Sequence, residues 1–203
     1  MFTGIVLEVG RVEAFEARPG GARLTVAYRT LPRERLAVGD SVAVNGVCLT
    51  VVENDGARFA ADLSEETLAR TTLGRLAPGA AVDLEPAATP QTALGGHWVS
   101  GHVDGVGEVL DIAPVGDNRR LRIRLPADLV RYVAVKGSIT VDGVSLTVNA
   151  VEGEAFEVMI IPHTLARTVI GGYRPGTAVN IEVDILARYL ERLLQAGEGG
   201  ACR

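Results

Sequence analysis

Residues 41–51 read SVAVNGVCLTV, and 97 positions later residues 138–148 read SITVDGVSLTV. That recurrence restricts the chain to one module built twice. The offset holds without a gap at other points: Thr3-Gly4-Ile5-Val6 falls on Ser100-Gly101-His102-Val103, and Thr67-Leu68-Ala69-Arg70-Thr71 returns letter for letter at 164–168. Pro78-Gly79, Val82 and Glu85 match Pro175-Gly176, Val179 and Glu182. Solenoid units run to roughly 20–50 residues and recur three or more times. A longer unit, present twice in 203 residues, describes two domains. Each is near the size at which one core suffices without staples, so the two are expected to lean on each other or on another subunit.

Within a module the apolar residues alternate, as in Arg23-Leu24-Thr25-Val26-Ala27-Tyr28 and Val47-Cys48-Leu49-Thr50-Val51, which is the period of a half-buried strand. Asn45-Gly46 and Asp55-Gly56 read as two-residue hairpin turns, because such turns need positive φ at their centre; Asp142-Gly143 and Glu152-Gly153 stand at the equivalent points and support the same meander. Ser64 and Pro162 each open a short helical stretch, Ser as a cap and Pro as a first-turn residue. Many short strands with one short helix per module predict a small antiparallel β-barrel with closed edges. Pro86 to Ala93, rich in Pro, Ala and Thr, reads as a linker. Beyond the repeat, residues 184–194 place Leu186, Tyr189, Leu190, Leu193 and Leu194 on one helical face behind Asp184, a natural N-cap; so short an amphipathic helix needs a partner, and a subunit interface is the expectation. The tail is expected to be disordered.

Composition excludes several classes. A net charge of −5 leaves no basic footprint for nucleic acid or an anionic membrane, and no apolar run reaches the roughly 18 residues of a membrane span. The first residues lack a basic segment and already belong to the repeat, so no signal peptide is expected. Of the two cysteines, Cys48 lies in a repeated strand where the second copy has Ser145, and Cys202 lies in the tail; a disulfide is not expected, which points to the cytoplasm. His97, His102 and His163 show no metal-ligand spacing, and there is no phosphate loop, dinucleotide fingerprint or nucleophile elbow, so neither metal nor cofactor is expected.

The informative positions are those where the copies differ: Ile5 becomes His102, Gly39 becomes Lys136, Asn45 becomes Asp142, Cys48 becomes Ser145 and Ala87 becomes Asp184. Equivalent pockets with different polar groups suit one kind of molecule held in two roles. Each residue has a plainer reading: Asp142 as a turn former, Asp184 as a helix cap, Ser145 as a hydrogen-bonded strand residue, His102 as structural, Lys136 as a solvated charge.

The start MFTGIV, the pair VNGVCLTV and VDGVSLTV, the segment GGHWVSGHVDGVGEV and the ending NIEVDILARYLERLL resemble the riboflavin synthase family of the α-chain type, and the resemblance runs from Met1 to Leu194. It implies two tandem six-stranded antiparallel Greek-key β-barrels followed by a short C-terminal α-helix. The implied organisation is a lumazine-binding barrel over 1–86, a linker over 87–97, a second lumazine-binding barrel over 98–184, an oligomerisation helix over 185–195 and a tail over 196–203. It also implies a cofactor-free transferase of riboflavin biosynthesis that dismutates two molecules of 6,7-dimethyl-8-ribityllumazine. It implies a homotrimer whose reactive pair forms between the N-terminal barrel of one subunit and the C-terminal barrel of the next, and possible association with lumazine synthase.

Carried over by motif, one lumazine lies against Gly4, Ile5, Val6, Cys48, Leu49, Thr50, Asp62, Leu63, Ser64, Glu65, Glu66 and Thr67. The second lies against Gly101, His102, Val103, Lys136, Ser145, Leu146, Thr147, Met159, Ile160, Ile161, Pro162, His163 and Thr164. Ser145 with Asp184 is expected to deliver a nucleophile and His102 to assist proton transfer. The alternatives are a non-catalytic lumazine or flavin carrier of the same duplicated barrel, and a purely structural double barrel.

Overall fold

Alternation of apolar and polar residues produces the strands in the computed structural model, which describes residues 1–198. The first barrel consists of β1 (Glu8–Arg18), β2 (Gly21–Ala27), β3 (Ser41–Val44), β4 (Val47–Asn54), β5 (Arg58–Ser64) and β6 (Ala81–Pro86), with α1 (Glu65–Arg70) after β5. The second consists of β7 (Gly105–Val115), β8 (Asn118–Arg124), β9 (Ser138–Val141), β10 (Val144–Glu152), β11 (Ala155–Ile160) and β12 (Ala178–Val183), with α2 (Pro162–Arg167) after β11. Every pairing is antiparallel, and both sheets close, in the orders β1-β2-β5-β4-β3-β6 and β10-β11-β8-β7-β12-β9. Only β3-β4-β5 and β9-β10-β11 form the expected meander. The pairing of β2 with β5, and of β8 with β11, makes each barrel a Greek key.

Inward-facing residues fill each barrel. Leu24, Val26, Val42, Val44, Val51, Phe59 and Leu84 build one core; Leu121, Ile123, Ile139, Val141, Val148, Phe156 and Ile181 build the other. Phe59 and Phe156 are repeat partners and both are fully buried. Asn45 (φ 44) with Gly46 (φ 77), and Asp142 (φ 45) with Gly143 (φ 83), form two-residue turns of the kind that require left-handed backbone. The other two turns differ from expectation. Asp55, Gly56 and Ala57 make a three-residue connection because the Asp55 carboxylate accepts from Ala57 N and Arg58 N, both at 3.0 Å. In the second barrel the turn is Gly153-Glu154, one residue later than expected.

The barrels meet across an approximate twofold. Phe2 and Val99, equivalent in the repeat, pair with each other at 2.8 and 3.2 Å. The two turns lie back to back: a Cβ on Gly46 would stand 2.6 Å from Gly143 N, so only glycine allows the approach.

The helix α3 (Ile185–Glu198) follows β12 and extends beyond the expected end at 195. Arg188 pairs with Asp104 and Glu191 bonds Tyr132, fixing the helix to the second barrel while its apolar stripe stays exposed. No helix among the described residues is long and apolar enough to cross a membrane. The remainder of the tail, with Cys202, lies outside the described residues.

Candidate functional site

Each barrel has a place where its ladder opens. The pairing of β4 with β5 stops at Val51 and Ala61, which leaves Cys48, Leu49 and Thr50 on one lip and Asp62, Leu63 and Ser64 on the other. Ser64 caps α1 by accepting from Thr67 N at 3.1 Å, and so sets Glu65, Glu66 and Thr67 beside this notch. The pairing of β10 with β11 stops at Val148 and Val158, leaving Ser145, Leu146 and Thr147 opposite Met159, Ile160 and Ile161, with Pro162, His163 and Thr164 in the first turn of α2. Strand edges there offer backbone donors and acceptors to a planar heterocycle, and hydroxyls to a polyol. Asp62 is already engaged: Arg23 holds its carboxylate at 2.7 and 2.9 Å and keeps it below the usual carboxylate range.

The segments leading into the barrels are exchanged relative to the expected grouping. Gly4, grouped with Cys48, instead accepts from Ser145 N at 2.8 Å, and Gly101, grouped with Ser145, accepts from Cys48 N at 2.8 Å. Val6 packs on the second core and Val103 on the first. The cause is the Phe2–Val99 pairing, which carries each segment over the seam before it enters its own barrel. Ile5 and His102, the divergent pair, are both exposed beyond these contacts.

The three residues assigned to catalysis are also arranged differently. Ser145 Oγ lies 2.7 Å from His97 Nδ1 rather than on Asp184. Asp184 accepts from Leu186 N at 3.0 Å, the bond of a helix cap, because α3 starts at the next residue. Its charge still reaches His97: burial pushes the imidazole below its usual range and Asp184 draws it back up. His97 is buried, and its Nε2 has no partner among the described residues. The second notch therefore carries a hydroxyl–imidazole pair within reach of a carboxylate; the first has the Cys48 thiol at the equivalent place. The differences between the two copies do not single out His97, which lies ahead of the second copy's first matched residue, Ser100. His102 is within electrostatic reach of Asp104. Lys136 is exposed in the turn before β9, at φ 67, where its repeat partner Gly39 has φ 96.

Two sizeable cavities lie away from both notches. One of about 680 Å³ is on the outside of the first barrel by Glu13, Asn54 and Phe59. The other, of about 610 Å³, is in the seam by Thr72, Asp142 and Tyr173. The notch chemistry is the better guide to the site: the seam cavity gathers one divergent pair, Asn45 and Asp142, but these side chains already accept from Asp83 N, and from Asn180 N and Tyr173 OH, and the other cavity gathers none of the pairs named above.

Comparison with known proteins shows the family and the duplicated fold. The lumazine binding domain family matches residues 3–87 and again residues 100–184. The chain is 48% identical over 194 residues to the riboflavin synthase of Photobacterium phosphoreum, covering 96% of this chain and 89% of that protein. It is 49% identical over 201 residues to that of Mycobacterium tuberculosis, covering 97% and 99%. Among solved structures, LumP complexed with riboflavin superposes with a TM-score of 0.80 at 27% identity, and LumP complexed with 6,7-dimethyl-8-(1'-D-ribityl) lumazine with 0.79 at 25%. Each covers 90% of this chain and 99% of LumP. Two matched domains and near-full-length identity establish that the chain belongs to the riboflavin synthase family.

Proposed function

We infer that the chain dismutates 6,7-dimethyl-8-ribityllumazine: a four-carbon unit passes from one molecule to the other, giving riboflavin and 5-amino-6-(ribitylamino)uracil. The observation that carries this reading is the pair of equivalent notches with unlike chemistry, the Cys48 thiol in one and the Ser145–His97 pair in the other. The near-full-length identity to curated riboflavin synthases supports it. One notch binds a lumazine through strand edges and hydroxyls. The other binds a second lumazine, at whose C7 a nucleophile adds while a proton leaves the C7 methyl group of the first. His97, kept neutral by burial, accepts the Ser145 hydroxyl proton or orients it; Asp184 stabilises charge on the imidazole. Holding the two rings together supplies proximity, for which effective molarities reach roughly 10⁵–10⁸ M.

The exposed stripe of α3 supports self-association, and on the family resemblance we propose a homotrimer in which the reactive pair forms between subunits. On the family resemblance we also propose association with lumazine synthase, and the free Cys48 thiol fits a cytoplasmic enzyme. The likeness to LumP with bound flavin and lumazine favours a carrier as the second reading. Incubating the purified protein with 6,7-dimethyl-8-ribityllumazine separates the two. Riboflavin and the pyrimidine in equal amounts establish the dismutase; tight binding with no product establishes the carrier.

A further inference from the structure

Thr3 and Ser100, Gly4 and Gly101, and Glu85 and Glu182 are repeat partners, and they make the same construction twice. Glu85 Oε1 accepts from Thr3 N and Thr3 Oγ1, both at 2.7 Å, and its Oε2 accepts from Gly4 N at 3.0 Å. Glu182 Oε1 accepts from Ser100 N at 2.7 Å and Ser100 Oγ at 2.6 Å, and its Oε2 from Gly101 N at 2.9 Å. One buried carboxylate therefore takes three donors from a single dipeptide. Charge-assisted bonds of this kind are the strong ones, and their fixed geometry orients the peptide that follows.

That following peptide is the one that reaches across the seam. The carbonyl of Gly4, whose N–H is held by Glu85 of the first barrel, accepts from Ser145 N in the second. The carbonyl of Gly101, whose N–H is held by Glu182 of the second barrel, accepts from Cys48 N in the first. The approach is close in both cases. Gly4 (φ 76) would place a Cβ 2.6 Å from Ser145 Cβ, and Gly101 (φ 77) would place one 2.7 Å from Cys48 Cβ. Each glutamate thus acts on the notch of the opposite barrel through one glycine.

We propose that Glu85 and Glu182 are crossed positioning residues: Glu85 of the first barrel sets the Ser145 notch of the second, and Glu182 of the second sets the Cys48 notch of the first. The two notches are then tuned as a pair, since neither barrel completes its own. Burial holds both carboxyls above the usual carboxylate range, against the opposing pull of the donated N–H and O–H bonds. The ligand used to probe the notches rests on the lumazine reading above; the clamp itself does not.

The test uses the full-length, ¹⁵N-labelled protein without ligand, with amide hydrogen exchange read at Ser145 and Cys48. In Glu85→Gln the amide must turn an NH2 toward one of the three donors, so Ser145 exchange should rise about tenfold or more while Cys48 stays within about twofold. Glu182→Gln should do the reverse. Loosening of the amide in the same barrel as the substitution, or of both amides equally, overturns the proposal. Ser100→Ala removes only the hydroxyl bond, and Thr3→Val removes it together with the longer bond from Ile5 N to Thr3 Oγ1 at 3.3 Å; both should give the same crossed pattern at smaller size, and they decide the matter if a glutamine variant does not fold. Titration with 6,7-dimethyl-8-ribityllumazine, followed at the same two amides, should then show Glu85→Gln weakening the response at Ser145 and sparing that at Cys48. Absence of any response in the unsubstituted protein would refute the lumazine reading and leave the exchange result to judge the clamp.

Discussion

Asp83 and Asn180 make the same bond from opposite sides of the seam: Asp83 Oδ1 accepts from Val169 N at 2.8 Å, and Asn180 Oδ1 accepts from Thr72 N at 2.7 Å. The second atom of Asn180 also has a use, since Nδ2 donates to Asn45 O at 2.8 Å. The corresponding atom of the aspartate, Oδ2, is buried without a partner among the described residues. Burial, with the charge of Asp142 added to it, drives the Asp83 carboxyl well above the usual carboxylate range. The ionisable groups facing it are Asp142 and Tyr173, and Tyr173 OH donates to Asp142 Oδ2 at 2.5 Å.

A carboxyl whose pKa rises on folding contributes stability below its unfolded value, near 4, and loses it as pH climbs through the folded value. Asp142, pushed up to about 6, loses its share in the same direction. Asp83→Asn supplies the donor that Asn180 already has and removes the titration. It should stabilise the protein by about 1–3 kcal/mol at pH 8, or several degrees in Tm, and by less at pH 5. Thermal unfolding at the two pH values measures this; a variant less stable than the parent at pH 8 would show that Asp83 is useful as a carboxylate.

The bond between His97 and Ser145 requires a neutral imidazole if the ring is to accept. With its pKa held down by burial, His97 should titrate below its ordinary 6.5, and the stability tied to the neutral ring is present above that value and lost as pH falls through the folded one. Imidazole ¹⁵N shifts report the midpoint. Ser145→Ala and Asp184→Ala should each cut turnover by roughly 10²-fold, in the range of acid–base and nucleophile losses, while lumazine still binds the first notch. Undiminished turnover in both would remove the second notch from the chemistry.

Lys136 occupies left-handed backbone at φ 67 where the first copy uses Gly39. A bulky side chain in that region costs of order 1 kcal/mol, and such strain is commonly kept at functional positions. Lys136→Gly should leave stability unchanged or raise it by up to about 1 kcal/mol. Turnover or lumazine affinity should fall about tenfold, the size of a lost charged hydrogen bond. Denaturant unfolding and steady-state kinetics together test the pairing; loss of stability with full activity would make Lys136 a structural residue.

The barrels were legible because the determinants are local: alternation in Leu24, Val26, Val42 and Val44, and an Asn-Gly or Asp-Gly turn at the same point of each copy. The crossing of Gly4 to Ser145 and Gly101 to Cys48 was not. A repeat shows which residues correspond, but nothing in it says whether a segment packs on its own barrel or on the twin. His97 escaped for a related reason: it lies outside the stretches that the two copies share, residues 3–87 and 100–184. Asp184 shows the limit from the other side: the cap expected from its place before Ile185 is present, and its action on His97 operates through charge at a distance that no spacing encodes.

Leu186, Tyr189, Leu190, Leu193 and Leu194 are 59–70% exposed along one face of α3. Burying a large apolar side chain is worth about 1.5–3 kcal/mol, so five in a row are a strong drive to associate. Arg188 and Glu191 already hold the opposite face to Asp104 and Tyr132, which leaves the stripe directed outward. For the homotrimer proposed above, Leu190→Glu with Leu193→Glu should turn a particle of three times 21.3 kDa into one of 21.3 kDa by sedimentation equilibrium, with the far-ultraviolet spectrum of the barrels unchanged. If the reactive pair forms between subunits, the dissociated chain binds lumazine and makes no riboflavin. A monomer that retained full turnover would place both lumazines within one chain, and the crossed contacts of Gly4 and Gly101 would then have to bring the two notches together without a neighbour.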